Sequence, residues 1–99
     1  MERLYKIAKD LQMRFSEGHT PYQNVTRILE EAGEVAKEVN HFEGSGVKHL
    51  KHGEPSKKAM AKEVSQVMFN LVQLIDYYDL YDEFDAELKR CEKKADNRK

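Results

Sequence analysis

Acidic residues at helical spacing carry the chemistry open to this chain. Glu30-Glu31-Ala32-Gly33-Glu34 reads EExxE, and Glu63-Val64-Ser65-Gln66 reads ExxQ. Residues three or four apart share one face of a helix, so Glu31 goes with Glu34 and Glu63 with Gln66. Two such helices packed antiparallel would gather three carboxylates and one amide oxygen around a small volume. Like charges gathered that way repel unless a hard divalent cation such as Mg2+ sits between them. Such a metal can hold the phosphate oxygens of a substrate and lower the pKa of a bound water. Glu30 or Glu38 would orient or deprotonate that water. Lys48, Lys51, Lys94 and Arg98 are candidates to neutralise phosphate charge.

A plainer reading stands beside this one. Glutamate is common on helix surfaces, and EExxE by itself also describes a solvated face. The second cluster favours the metal site, as do the small residues Ala32, Gly33 and Ala36, which would let a ligand or a second helix approach. Glu31, Glu34 and Glu38 also interleave with an apolar stripe, where a carboxylate is costly unless compensated. Asn70, one turn after Gln66, would hydrogen-bond a base or sugar, or satisfy a buried polar neighbour. His49 and His52 have i, i+3 spacing, but zinc needs more ligands than they and His41 offer nearby. Contact with phosphate or plain solvation suits these loop histidines better.

Four helices must position these residues. The first is expected over about 2–16, with Leu4, Ile7, Ala8, Leu11 and Phe15 in helical register. Gly18 and Pro21 break it. The second covers about 22–42, capped by Thr20, with Pro21 at the first helical position. Its stripe is Val25, Ile28, Leu29, Ala32, Val35, Ala36 and Val39. A basic loop follows over 43–54, with Gly44, Ser45, Gly46 and Gly53 as breakers. The third helix covers about 55–78, and its broad apolar face predicts burial on more than one side. Met60 and Met68 are expected in its core, and Tyr77, Tyr78 and Tyr81 in packing or an interface. Asp79 is expected to cap a fourth helix over about 80–95, with Leu80, Phe84, Leu88 and Cys91 as its packed stripe. No segment alternates as a strand does, so the fold class is all-α, a four-helix bundle completed by oligomerisation.

Composition sets the outer bounds. Ninety-nine residues make one domain with a modest core. The charged fraction is 35% but the formal net charge is −1, which gives no global attraction to nucleic acid or membrane. One cysteine, Cys91, forms no internal disulfide. The N-terminus lacks an apolar signal core, and no apolar run reaches membrane-spanning length. The protein is expected in the cytoplasm.

The stretch from about Arg14 to Leu88 resembles the MazG-like all-α nucleoside triphosphate pyrophosphohydrolases. That family is marked by EExxE, a spacer, then ExxD. Here the spacer is residues 35–62, 28 in all, within the family's usual range. The resemblance implies a four-helix fold that assembles as a homodimer or a homotetramer. It implies Mg2+-dependent cleavage (Mn2+ a possible substitute) of a (deoxy)nucleoside triphosphate between the α and β phosphates. Matched residue by residue, Glu31, Glu34 and Glu63 would hold the metal, and Glu30 would orient water. The family's aspartate falls on Gln66, which offers a carbonyl oxygen but no charge. Either the enzyme works with fewer metals, or another acid such as Glu38 or Asp76 compensates, or the chain binds nucleotides without turning them over.

Overall fold

The computed structural model describes residues 2–14, 20–44 and 54–97. They form four helices and no strand: α1 Glu2–Arg14, α2 Pro21–Phe42, α3 Lys57–Tyr77 and α4 Tyr81–Asn97. The expected continuation of the first helix over 15–16 and most of the basic loop lie outside the described residues.

Thr20 starts α2 as its sequence suggests. Its Oγ1 accepts from the Gln23 N–H at 3.2 Å, while Gln23 Oε1 accepts from the Thr20 N–H at 3.1 Å. This reciprocal box satisfies two N–H groups at the helix start, and Pro21 needs no N–H there. α3 begins two residues later than expected, because Ser56 is its cap and accepts from the Ala59 N–H at 3.1 Å.

α3 is the centre of the fold. It packs against α2 along one side and α1 along another, and touches α4 more briefly. On α2, solvent exposure falls at 24, 28, 31, 35 and 38, the four–three alternation of a helix–helix seam, and at the adjacent 41 and 42 where the helix ends. On α3 it falls at 60, 63, 67, 70 and 74, and again at 65, 69, 72 and 76. The first set faces α2, since Glu63 meets Glu31. The second faces α1, since Asp76 meets Lys9. The broad face expected for the third helix is thus divided between two neighbours.

The apolar stripe expected on α2 is only partly covered. Ile28 and Val35 are half-buried, but Val25, Leu29, Ala32, Ala36 and Val39 are exposed. Asn24, Glu31 and Glu38 take seam positions instead. Met68, expected in the core, is exposed on α3, and Cys91 is exposed on α4. Among the described residues the fully buried apolar side chains are Ala8 and Val72. The radius of gyration, 16.7 Å, exceeds the about 13 Å of a compact domain this long.

Around the end of α3, three helices are clamped by polar and aromatic contacts. Tyr81 Oη donates to Asp76 Oδ1 at 2.8 Å, and Lys9 Nζ lies 3.8 Å from the same oxygen. Lys9 also stands 5.0 Å from the Tyr81 ring centre, and the Tyr5 ring meets Tyr81 edge-on at 5.7 Å. Burial, then the bond to Asp76, pushes the Tyr81 hydroxyl above its ordinary pKa.

Asp79 is not the cap of α4. It closes α3 in the left-handed region, at φ 51°. Its N–H donates to Asp76 O at 3.2 Å, and the Leu80 N–H donates to Ile75 O at 2.9 Å. These are the two bonds of a Schellman stop, and Leu80 then accepts the first bond of α4, from the Phe84 N–H at 2.8 Å. Asp82 and Glu83 fall in the first turn of α4, where the helix dipole favours acids. A left-handed residue with a Cβ is strained, so Asp79→Gly is expected to stabilise the fold by about 0.5–1 kcal/mol after the entropy cost of glycine. A raised urea midpoint at unchanged slope would show it.

Candidate functional site

The α2–α3 seam places two of the predicted ligands face to face. Glu31 and Glu63 both occupy seam positions, half-buried, with their carboxyls near enough for one, when protonated, to hydrogen-bond the other. That bond holds the Glu31 proton on to a higher pH than an ordinary glutamate. Burial, the charge of Glu63, and then the charges of Glu34 and Glu30 act in the same direction.

The other predicted positions flank this pair. Glu34 and Gln66 sit three residues after Glu31 and Glu63, while the seam itself continues at 35 and 67. In antiparallel helices, equal offsets of this kind fall on the same side of the seam. Both side chains are exposed there. Glu34 Oε1 accepts from Lys37 Nζ at 3.2 Å. Glu30 is exposed, and Glu38 is half-buried one heptad beyond Glu31. Among the described residues, no three His, Cys, Asp or Glu side chains converge closely enough to hold a metal ion. The Glu31–Glu63 pair is the part of the predicted cluster that is assembled.

Beyond the pair, the seam opens into a cleft of about 320 Å³. Glu34, Lys37, Glu38 and His41 line it from α2, and Ser56 and Ala59 from the start of α3, with Glu54 at its edge. Lys37, Glu54 and Ser56 were not singled out as site residues by sequence, and His41 was weighed only as a zinc ligand. The legible signal for His41 is spacing: 34, 38 and 41 lie on one helical face.

The remaining candidates are dispersed. Asn70 is buried, and its Nδ2 donates to the Gln66 carbonyl at 3.0 Å, so it satisfies its own helix. Asp76 belongs to the Lys9–Tyr81 clamp, ten residues from Gln66, and does not replace the missing acid. Lys94 is exposed on the last turn of α4. Lys48, Lys51, Arg98, His49 and His52 lie outside the described residues.

Two further amides were missed. Asn24 is fully buried with neither amide atom hydrogen-bonded among the described residues, and Gln73 Oε1 is buried in the same condition. The register that pairs 31 with 63 sets Asn24 level with Asn70. Seven-residue spacing from Glu31 was the legible sign that Asn24 shares the seam.

One curated relative is similar over most of both chains. It is the uncharacterized protein YpjD of Bacillus subtilis (strain 168), 35% identical over 83 residues, which cover 76% of this chain and 72% of the relative. The chain belongs to the YpjD family. That kinship carries no activity with it. No family model matches the chain, and no solved structure matches it. No helix among the described residues is long and apolar enough to cross a membrane.

The carboxyl pair gives a pH signature in metal-free protein. Glu31 binds its proton more tightly folded than unfolded. Its contribution to stability is therefore full below the ordinary carboxylate range, and is lost as pH rises through the raised value. Glu31→Gln removes the loss. The variant is expected to exceed the parent in Tm at pH 7 by more than it does at pH 4, as thermal melts at the two pH values would record.

Proposed function

We propose that this protein is a Mg2+-dependent nucleoside triphosphate pyrophosphohydrolase of the MazG-like type, releasing a (deoxy)nucleoside monophosphate and pyrophosphate. The observation that carries the reading is the Glu31–Glu63 carboxyl pair. Two acids share a half-buried seam between antiparallel helices, where repulsion costs stability and a hard cation would remove the cost. The donors at the pair and on its flank, three carboxylates and the Gln66 amide, all offer oxygens, as Mg2+ prefers. Glu31 and Glu63 would hold it, joined by Glu34 released from Lys37 and by the Gln66 amide oxygen on the same flank. When bound, the metal supplies charge for phosphate oxygens and a more acidic water.

The chain's own residues supply the rest. Glu38 lines the cleft next to Glu34 and would take the proton of the attacking water, with Glu30 as the exposed alternative. Lys37 lines the same wall and would pass from Glu34 to a phosphate oxygen. The N-terminal dipole of α3, capped by Ser56 at the cleft, favours anions there. The substrate-facing roles of Lys48, Lys51, Lys94, Arg98 and Asn70 remain part of the proposal, with Asn70 the weakest because its amide N–H is already used. Association as a homodimer or homotetramer and a cytoplasmic location belong to the same reading. The open shape and the thin core support association.

A specific observation favours a second reading. Gln66 is neutral and exposed, and no other acid takes its place on α3. A weakened member of this type would bind nucleotides, or act as an interaction module, without turnover.

Pyrophosphate release from a panel of canonical and modified nucleoside triphosphates, with and without Mg2+ or Mn2+, separates the two. The enzyme reading expects metal-dependent release that disappears in Glu63→Gln and falls by about 100-fold or more in Glu38→Gln. Turnover in Gln66→Asp alone would establish a site disabled at one ligand. Silence from every version, with no Mg2+-dependent change in Tm, would sink the metal site itself.

A further inference from the structure

Two buried amides at the α3 end of the seam stand without hydrogen bonds. Asn24 is fully buried with Nδ2 and Oδ1 both unpartnered, and Gln73, 4% exposed, has an unpartnered Oε1, among the described residues. A buried amide left unpaired destabilises a fold where an apolar side chain of the same shape would not. Three such atoms close together call for a partner from outside the chain.

Their place says which partner. On α3, Gln66, Asn70, Gln73 and Tyr77 follow at four–three–four spacing and form one row. The row starts on the flank of the Glu31–Glu63 pair and reaches Gln73 seven residues later, roughly 10 Å along the axis. It runs away from the cleft at Ser56. A nucleoside triphosphate with its outer phosphates in that cleft and its α-phosphate at the pair would extend its sugar and base along this row. Asn24 stands across the seam, level with Asn70. This end of the seam is also the end that opens most easily. From Pro21 to Arg27, Asn24 is the one buried side chain of α2, while Tyr22, Gln23, Val25, Thr26 and Arg27 are exposed. A helix start held by so little apolar contact parts from its neighbour at small cost.

We propose that the Asn24 and Gln73 amides read the base of the nucleotide, and that they select a base bearing an exocyclic amino group over its carbonyl counterpart. The unpartnered atoms set the choice. Asn24 Nδ2 needs an acceptor, while Asn24 Oδ1 and Gln73 Oε1 need two N–H donors. An amino group beside a ring nitrogen, the edge of cytosine and adenine, offers two N–H donors and one acceptor. One amino hydrogen and the ring nitrogen engage the Asn24 amide two-to-two, and the second amino hydrogen meets Gln73 Oε1. Guanine, with O6, N1–H and its amino group, also satisfies all three. Uracil and hypoxanthine have a single N–H on that edge and leave one carbonyl oxygen unpaired. The inference rests on the nucleotide binding proposed above, with or without turnover.

Calorimetric titration of the full chain with α,β-methylene nucleoside triphosphates in Mg2+ tests it, because these analogues bind without being cleaved at that bond. The cytidine analogue is expected to bind about 10-fold or more tightly than the uridine analogue, and the adenosine than the inosine, the effect of one buried oxygen left unpaired. Asn24→Leu and Gln73→Met should each remove most of that preference. Gln73→Met keeps the length of the side chain and carries the test should Asn24→Leu fail to fold by circular dichroism. Asn24→Leu should also raise the Tm of the ligand-free chain, since it deletes two unpaired atoms. A parent indifferent to the amino group, or a preference that survives both variants, would overturn the amide site and leave nucleotide binding standing. In that case an internal water holds the amides, and Asn24→Leu lowers Tm. A parent that binds no nucleotide in Mg2+ would overturn both readings.

Discussion

Two carboxyls held together in a helix–helix seam are the constraint around which this molecule is organised. A seam with four–three spacing normally selects apolar side chains, and α2 supplies Ile28 and Val35 at two of its positions. At 31 and 38 it supplies glutamates, and α3 answers Glu31 with Glu63. Hydrophobic contact between α2 and α3 must therefore hold two like-charged groups within hydrogen-bonding reach. The cost falls where a proton or a cation can cancel it. A group that stabilises the fold only when neutralised is also a group ready to receive positive charge from outside.

The rest of the architecture serves α3, which carries one half of that pair. α2 closes on the side bearing Glu63, and α1 closes on the side bearing Asp76. Ser56 fixes where the helix begins, and the stop at Asp79 fixes where it ends. The Lys9–Asp76–Tyr81 clamp binds three helices near that end, so α3 is held at both its margins while its middle faces the carboxyl pair. α4 leaves this framework at once and keeps its apolar stripe in the open.

The helices themselves were legible in the sequence, since periodicity and the Thr20–Pro21 start are local signals. The pairing of Glu31 with Glu63 was legible too, because spacing alone puts both motifs on helical faces. The buried side of α2 was less so. Counting apolar residues selects Val25, Leu29, Ala32, Ala36 and Val39, but the covered line runs through Asn24, Glu31 and Glu38, because a neighbour's position decides burial and α3 approaches from that side. Gln66 and Glu34 were expected to converge with the pair. Three residues carry a side chain past the seam and four carry it back in, and that difference of one residue leaves both on the flank. Asp79 misled for another reason. Aspartate suits a helix start and also tolerates the left-handed conformation, and the backbone around it chose the second.

The buried amide of Asn24 has a consequence for alignment. Slide α2 along α3 by one heptad and the apolar residues still find apolar partners, while Glu38 replaces Glu31 opposite Glu63. Nothing greasy or acidic distinguishes that misthreaded frame from the native one. Asn24 does, because the native frame buries its amide without a hydrogen bond among the described residues, while the slide carries it to the level of the exposed Tyr77. A polar side chain can thus make the native frame the dearer one at this position, a cost that the rest of the seam must offset.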